Sequence, residues 1–593
     1  MKQIFGLTAL TTIIFALHSP SASARQEQLR ENLYLAYPPP NHQTTADKIF
    51  FIGNAPPQGE VLINDRPIDR SKTGNFAPSF PLEIGENTFT ISYQDETIAV
   101  TITRLSVQPK IPDRVAFAEN SLTPARNITR LPNESICFSA IAPLDAKVSV
   151  RLGFKTIPLL PQTDEVDLPP NWAIYTSENQ KTYIKIGQYK GCTKISRPGN
   201  WGRPLFRLRK DRQTFTKRGP ASVTILAADR RNIIEVIADA GVARTGPSTT
   251  YSRLTPLPRG TRATVTGSEG DWLRLDYGAW IKASETKILP DLSRSRSIIR
   301  SIIAKQVNNS TEIVFPLQNP VPVSVKQGDR TFTLTLHNTT AQTDIIRLDD
   351  NPYIKRLDWE QINPTTVEYT FILKSKQQWG YDLKYRGRSL VLTLRHPPRV
   401  LSRSKNIGSL KGIKILLDPG HGGKELGARG PTGYPEKEVN LIVAKLLRDE
   451  LESRGAIVYM TREEDRFVSL GDRVNLINTV RPAIALSIHY NALPDSGNAI
   501  DTRGVGMFWY HPMAHDLAVF LESYLVKKLD RPSYGVFWNN LALTRPHTAP
   551  AVLLELGFMI NPEEFEWISD PQQQTILAVS LADALSEWFA TVD

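Results

Sequence analysis

Only two cysteines occur in 593 residues, Cys137 and Cys192, and no CxxC pair is present, which argues against cysteine-ligated zinc modules and thioredoxin-type redox chemistry. Beyond the first two dozen residues no apolar run approaches the about 20 that a membrane-crossing helix needs, so no transmembrane segment is expected in the mature protein. Between Asn32 and Pro398 hardly any sustained helical periodicity is found, which removes an all-helical architecture. Basic residues exceed acidic ones, 71 to 60, for a net charge of +11, yet no helix-turn-helix, RRM or zinc-finger pattern accompanies them. Nucleic acid is therefore a poor partner, and an anionic wall polymer a better one.

The chain is too long for one hydrophobic core, and one domain per about 150 residues gives a soft expectation of four. Its start, residues 1–24, carries Lys2, an apolar stretch from Ile4 to Leu17 and the small residues Ala22, Ser23 and Ala24. That pattern predicts a cleaved secretory signal and a secreted, periplasmic or wall-associated protein. Export allows disulfides to persist, and Cys137 and Cys192 either pair or remain two separate thiols.

Short alternating segments broken by Gly, Pro and Asn predict all-β modules up to Pro398. Residues 25–105, with turns expected at Asn64–Asp65 and Gly85–Glu86, resemble immunoglobulin-like modules of secreted wall proteins. A second β domain, 125–230, carries both cysteines. Residues 232–288 resemble a bacterial SH3 domain on the strength of ARTGPS, the Gly260 turn, and Trp272 and Trp280, which are expected to fill a small barrel core. Residues 295–398 contain two segments, from Thr311 and from Val367, that align as a repeat ending in TLTLH and LTLRH. This region resembles the AMIN modules of envelope enzymes, which implies wall or division proteins as partners.

From Ile413 the character changes. IKILLD, AIVYMT, AIALSI, GVGMFWY and AVLLEL read as strands. KEVNLIVAKLLRDELESRG, LGDRVNLIN, His515 to Lys528 and Gln572 to Phe589 read as helices. Such alternation predicts an α/β domain with a largely parallel sheet, whose sites gather at the carboxyl ends of strands. His421, in DPGHGG, and His489, in SIHYNA, fall at two such ends. Glu436 opens the long helix, where an acid is also explained by the helix dipole. Glu555 interrupts AVLLELGFMI, where a carboxylate costs several kcal/mol unless something charged or hydrogen-bonding meets it. Two imidazoles and one carboxylate leave a zinc ion one open position, as in hydrolytic sites, and zinc lowers the pKa of water to about 7. The other glutamate, Glu555, is then free to move protons. His511 and His515 have the spacing of a helical zinc pair but lack the glutamate of HExxH, and a surface or capping role is expected for them.

LLDPGHGG, GYPEKEVNL, SIHYNA and AVLLELGFMINPEE, in this order, resemble the zinc-dependent N-acetylmuramoyl-L-alanine amidases of the Amidase_3 family over residues 411–593. The resemblance implies that His421, Glu436 and His489 bind Zn²⁺ and that Glu555 is catalytic, with Glu438 standing where the family has Asp. Asn491, two residues beyond His489, is a candidate substrate contact by position. The implied function is cleavage of peptidoglycan between N-acetylmuramic acid and L-alanine. Two alternatives stay open at this point: a wall-binding scaffold with an inactive amidase-like domain, and a zinc peptidase acting within the stem peptide.

Overall fold

Between residues 32 and 398 strands such as Thr331–His337 and Thr366–Leu373 bury every second residue, and the described residues there contain strands and a single 3₁₀ turn. The structure is a computed structural model and describes residues 32–106, 110–162, 165–167, 182–184, 187–227, 232–289, 296–398 and 409–592. The predicted signal, residues 1–24, lies outside them. In the first unit the strands Gly85–Tyr93 and Glu96–Arg104 pair antiparallel and turn Phe89, Ile91, Val100 and Ile102 inward. Asn64 and Asp65 make the expected turn with φ of 48° and 58°, a conformation their short polar side chains tolerate. Gly85–Glu86, expected as a turn, instead opens a strand.

In the second unit Cys137 and Cys192 oppose each other on the antiparallel strands Ser135–Ile141 and Gln188–Lys194 and form a disulfide. Closing a loop with a sequence separation of 55 residues stabilises by about 4 kcal/mol in the chain-entropy model.

The third unit corrects one expectation. Its core is aliphatic, built from Ile234, Val236, Leu257, Leu275 and Ile281. Trp272 and Trp280 are buried elsewhere, with the Trp280 ring under the guanidinium groups of Arg130 and Arg274 at 5.8 and 5.9 Å. The reason lies in the sheet: strand Arg262–Glu269 also pairs with Ile128–Arg130 of the preceding unit, so this unit is not an isolated domain that must fill itself with rings. Arg130–Glu269 (2.6 Å) and Arg274–Glu134 (2.7 Å) ion pairs cross the same seam.

The repeat in 295–398 folds by exchange. Strand Ser310–Pro316 of the first copy joins Ser389–Arg395 of the second, and Thr366–Leu373 of the second joins Thr331–His337 of the first. The two resulting sheets share one core containing Phe315, Phe332, Tyr369 and Leu392.

In the C-terminal unit the elements are β1 (Lys414–Pro419), α1 (Glu436–Ser453), β2 (Ile457–Met460), α2 (Leu470–Val480), β3 (Ile484–Asn491), β4 (Val505–Trp509), α3 (His515–Leu529), β5 (Ser533–Trp538), β6 (Ala551–Phe558), α4 (Pro562–Ser569) and α5 (Pro571–Thr591). The sheet order is β2-β1-β3-β6-β4-β5. Every neighbouring pair is parallel except β4 with β6. Fold class is thus as expected, with β5 and α4 added. Ile415 and Leu417 face the main core with Val439, Val443 and Leu447 of α1, while Leu416 faces a smaller cluster under Ile477 of α2. Trp379, from the repeat unit, stacks on Phe589 of α5, lies tilted against Trp588, and joins that main core. No helix among the described residues is long and apolar enough to cross a membrane.

Candidate active site

Parallel strands deliver their C-terminal residues to one edge, and β1, β3 and β6 end there in Pro419, Asn491 and Phe558. His421 follows β1, His489 and Asn491 close β3, and Glu555 stands beside His489 in register on β6. Glu436 is the first residue of α1. Together His421, Glu436 and His489 present ligand atoms that all lie within 4.8 Å of one another. His421 Nε2 is 3.1 Å from Glu436 Oε2, and His489 Nδ1 is 3.0 Å from Glu436 Oε1. Gly420 is required here, because a Cβ would fall 2.2 Å from the His489 ring.

Glu436 is 3% exposed and fully engaged: Ala428 N donates to Oε2 at 2.8 Å, and Asn440 Nδ2 and Tyr490 N donate to Oε1 at 3.0 and 3.1 Å. Burial alone would raise its pKa; the hydrogen bonds and charges of the two histidines outweigh this and hold it well below the usual carboxylate range. Burial opposes a charge on His421, but its bond to Glu436 and the charges of Glu436 and Glu425 raise its pKa overall. Glu555 behaves oppositely. Burial first, and the Glu436 charge second, push its pKa well above that of an ordinary carboxylate. Its Oε2 is sealed from solvent without a hydrogen-bond partner.

His421 adopts a left-handed backbone with φ 59°, which for a non-glycine residue costs about 1–3 kcal/mol and persists only when its surroundings enforce it. Two buried arginines do so. Arg473 Nη2 donates to His421 O at 2.6 Å, and its Nη1 donates to Pro419 O and Asp418 Oδ1 at 2.8 and 2.6 Å. Arg462 Nε holds Pro419 O at 3.0 Å, and its Nη2 holds Gly420 O at 2.8 Å. Asp418 also accepts from Thr461 Oγ1 and Ser487 Oγ at 2.5 and 2.6 Å. Asp418 therefore anchors the histidine loop, a role that sequence reading left unassigned; its only local signal was an acid closing an apolar strand.

Asn491 lies beside the site, half-buried, with its Nδ2 lacking a partner and its Oδ1 accepting from Ala492 N at 2.9 Å. His511 and His515 do not join the cluster. His515 is exposed, as expected, and His511 takes the capping position, as the N-cap of the 3₁₀ turn Pro512–Ala514, without a side-chain cap bond. It is half-buried with its Nε2 2.8 Å from Arg545 O, because Pro512 starts a 3₁₀ turn that leaves the histidine on the preceding extended residue.

The donor set fits a divalent metal. It comprises two imidazoles and a carboxylate that its neighbours keep ionised, with an acid carrying an unpartnered oxygen on the adjacent strand.

Residues 415–587 match the family described as N-acetylmuramoyl-L-alanine amidase, Amidase_3. The probable cell wall amidase LytH of Staphylococcus aureus is 38% identical over 193 residues, 32% of this chain and 63% of that protein. The chain thus spans 63% of the length of the curated relatives it matches. Among solved structures, an N-acetylmuramoyl-L-alanine amidase of Clostridium difficile 630 is 28% identical with a TM-score of 0.29, covering 30% of this chain and 98% of that one. The amidase AmiC2 of Nostoc punctiforme is 28% identical with a TM-score of 0.29, covering 30% and 99%.

Proposed function

We propose, on the premise that residues 415–587 belong to the Amidase_3 family, that this chain is an exported zinc-dependent peptidoglycan hydrolase. Its substrate bond is the amide joining the lactyl group of N-acetylmuramic acid to L-alanine. His421, Glu436 and His489 would hold the zinc, which when bound polarises a carbonyl and lowers the pKa of water to about 7. Glu436 suits a ligand because its neighbours favour the charged form. Glu555 suits a proton carrier because its surroundings disfavour permanent ionisation, so that it can take a proton from the attacking water and return it to the leaving nitrogen. Asn491, at the end of β3 beside His489, would contact substrate. The β units would hold the enzyme on its insoluble substrate in the periplasm or wall, raising the local concentration of scissile bonds without new catalytic contacts.

The observation that carries this reading is the convergence of His421, Glu436 and His489, with Glu555 in register beside His489. Mass spectrometry of a peptidoglycan digest tests it. Free stem peptides beginning at L-alanine are expected; shortened peptides still attached to muramic acid would overturn the assignment.

A further inference from the structure

A cavity of about 690 Å³ lies where the third unit, the repeat unit and the C-terminal domain meet, away from the histidine cluster. Each of the three contributes one cation to its lining: Arg253, Lys326 and Arg545. The lining contains no Asp or Glu. None of the three cations has a carboxylate partner among the described residues. Arg244, buried and bridged through its backbone to Arg253, adds a further positive charge, partly offset by Glu285. Its Nη1 is used by Thr249 O and Tyr251 O, and its Nε has no partner. Burial, with the charges of Arg253 and Arg244, lowers the pKa of Arg545 to about 10, the response of a cation that lacks a counter-ion.

Gathering like charges in a partly enclosed space is unfavourable unless an anion enters. The aromatic residues of the lining narrow the choice of anion. Tyr510 and Trp538, with ring centroids 5.4 Å apart, present flat apolar faces, and Trp538 is 59% exposed. Asn475 of α2 adds an amide to the lining. Guanidinium groups fork onto carboxylates, aromatic faces cover amide planes and aliphatic stems, and an asparagine side chain pairs with peptide groups. A bare phosphate uses only the first of these.

We propose that this three-unit cavity is a second, non-catalytic binding site for a carboxylate-bearing peptide, the stem peptide of the wall polymer. This identification of the peptide's source rests on the proposed function. The site is composite: the third unit alone supplies only one of the three lining cations, so recognition needs the units held as they are here. Leu470 and Gly471 also line it, at the start of α2, the helix whose Arg473 grips the His421 carbonyl. A strand of polymer bound in the cavity would therefore lie along the helix that braces the catalytic edge.

Calorimetric titration of the full chain with the synthetic tripeptide L-Ala-γ-D-Glu-L-Lys, its amidated counterpart lacking free carboxylates, and inorganic phosphate tests the proposal. Binding of the free-acid peptide is expected, weakened roughly ten- to a hundred-fold by amidation or by Arg545→Gln, and unchanged by Glu436→Gln. Should Arg545→Gln misfold, the exposed Lys326→Gln with a melting curve as control serves the same purpose, with a smaller loss expected. Equal binding of both peptides, phosphate binding as tight as the acid peptide, loss of binding in Glu436→Gln, or indifference to both cavity substitutions would each overturn it. The assay reads no turnover, so failure of the amidase assignment in the digest leaves this outcome separately readable.

Discussion

Glu555 stands opposite His489 in the parallel register of β3 and β6. Neighbouring strands lie about 4.8 Å apart, so backbone pairing itself sets the proposed proton carrier next to an imidazole of the proposed metal site. Because Glu555 makes no bond to His421, Glu436 or His489, its proposed role is separable from metal binding. Glu555→Gln is expected to lower turnover about 10²–10⁴-fold while zinc remains stoichiometric by elemental analysis. A variant that loses its zinc, or keeps near-normal turnover, would contradict the assignment.

Arg473 ties together the strand end and the strained histidine, bonding Asp418, Pro419 O and His421 O from a buried position. Arg473→Ala would strand the Asp418 charge and release the left-handed turn. A loss of about 3–5 kcal/mol, the range for breaking a buried ion pair, is expected in urea unfolding, together with weaker zinc binding. Stability within 1 kcal/mol of the parent would show that Thr461 and Ser487 suffice for Asp418.

How much of this was legible beforehand differs by element. The convergence of His421, Glu436 and His489 was readable because zinc chemistry restricts candidate ligands to few residue types and because parallel strands bring their ends to one edge. The alternating segments announced β units for the same reason, since period-two burial is written residue by residue. Arg462 and Arg473 were not readable: a buried arginine in the sequence looks like any surface arginine until its carbonyl acceptors are assembled. Trp272 and Trp280 misled because the need for an aromatic core depends on whether a barrel stands alone, and the pairing of Arg262–Glu269 with Ile128–Arg130 is a long-range event. The capping position of His511 was legible from Pro512, whereas its contact with Arg545 O was not.

Glu312 supplies a pH dependence. Arg386 bonds its two oxygens at 2.6 and 3.0 Å and lowers its pKa below the ordinary 4.5, against the opposing effect of burial, with the charges of Arg386 and Lys305 assisting. A depressed folded-state pKa means the unfolded chain binds the proton more readily. The contribution is therefore complete above pH 4.5 and disappears as pH falls through the folded value. The melting temperature of the parent minus that of Glu312→Gln should shrink steadily as pH drops below 4.5. A difference that stays constant across that window would mean the pair contributes nothing through its charge.

The first unit buttresses the catalytic edge, and that contact can be loosened. The Tyr37 hydroxyl donates to Asp495, His42 Nε2 lies 2.9 Å from the other Asp495 oxygen, and Thr73 N and Oγ1 donate to Glu566 at 3.0 and 2.7 Å. Around these bonds Phe50, Ile52 and Ala77 pack on Leu493, Ala499, Phe558 and Ile560. Leu493 lies two residues past Asn491, and Phe558 three past Glu555, so the seam covers the segments leaving both strands. Asp495→Ala removes the carboxylate shared by Tyr37 and His42 and leaves the half-buried hydroxyl only His42 Nε2, 3.1 Å away, a cost of about 1 kcal/mol. Amide exchange should accelerate in 34–42 and 493–500 and stay unchanged around Cys137 and Cys192, with zinc retained. Uniform protection in all three regions would show that the apolar contact alone holds the unit in place.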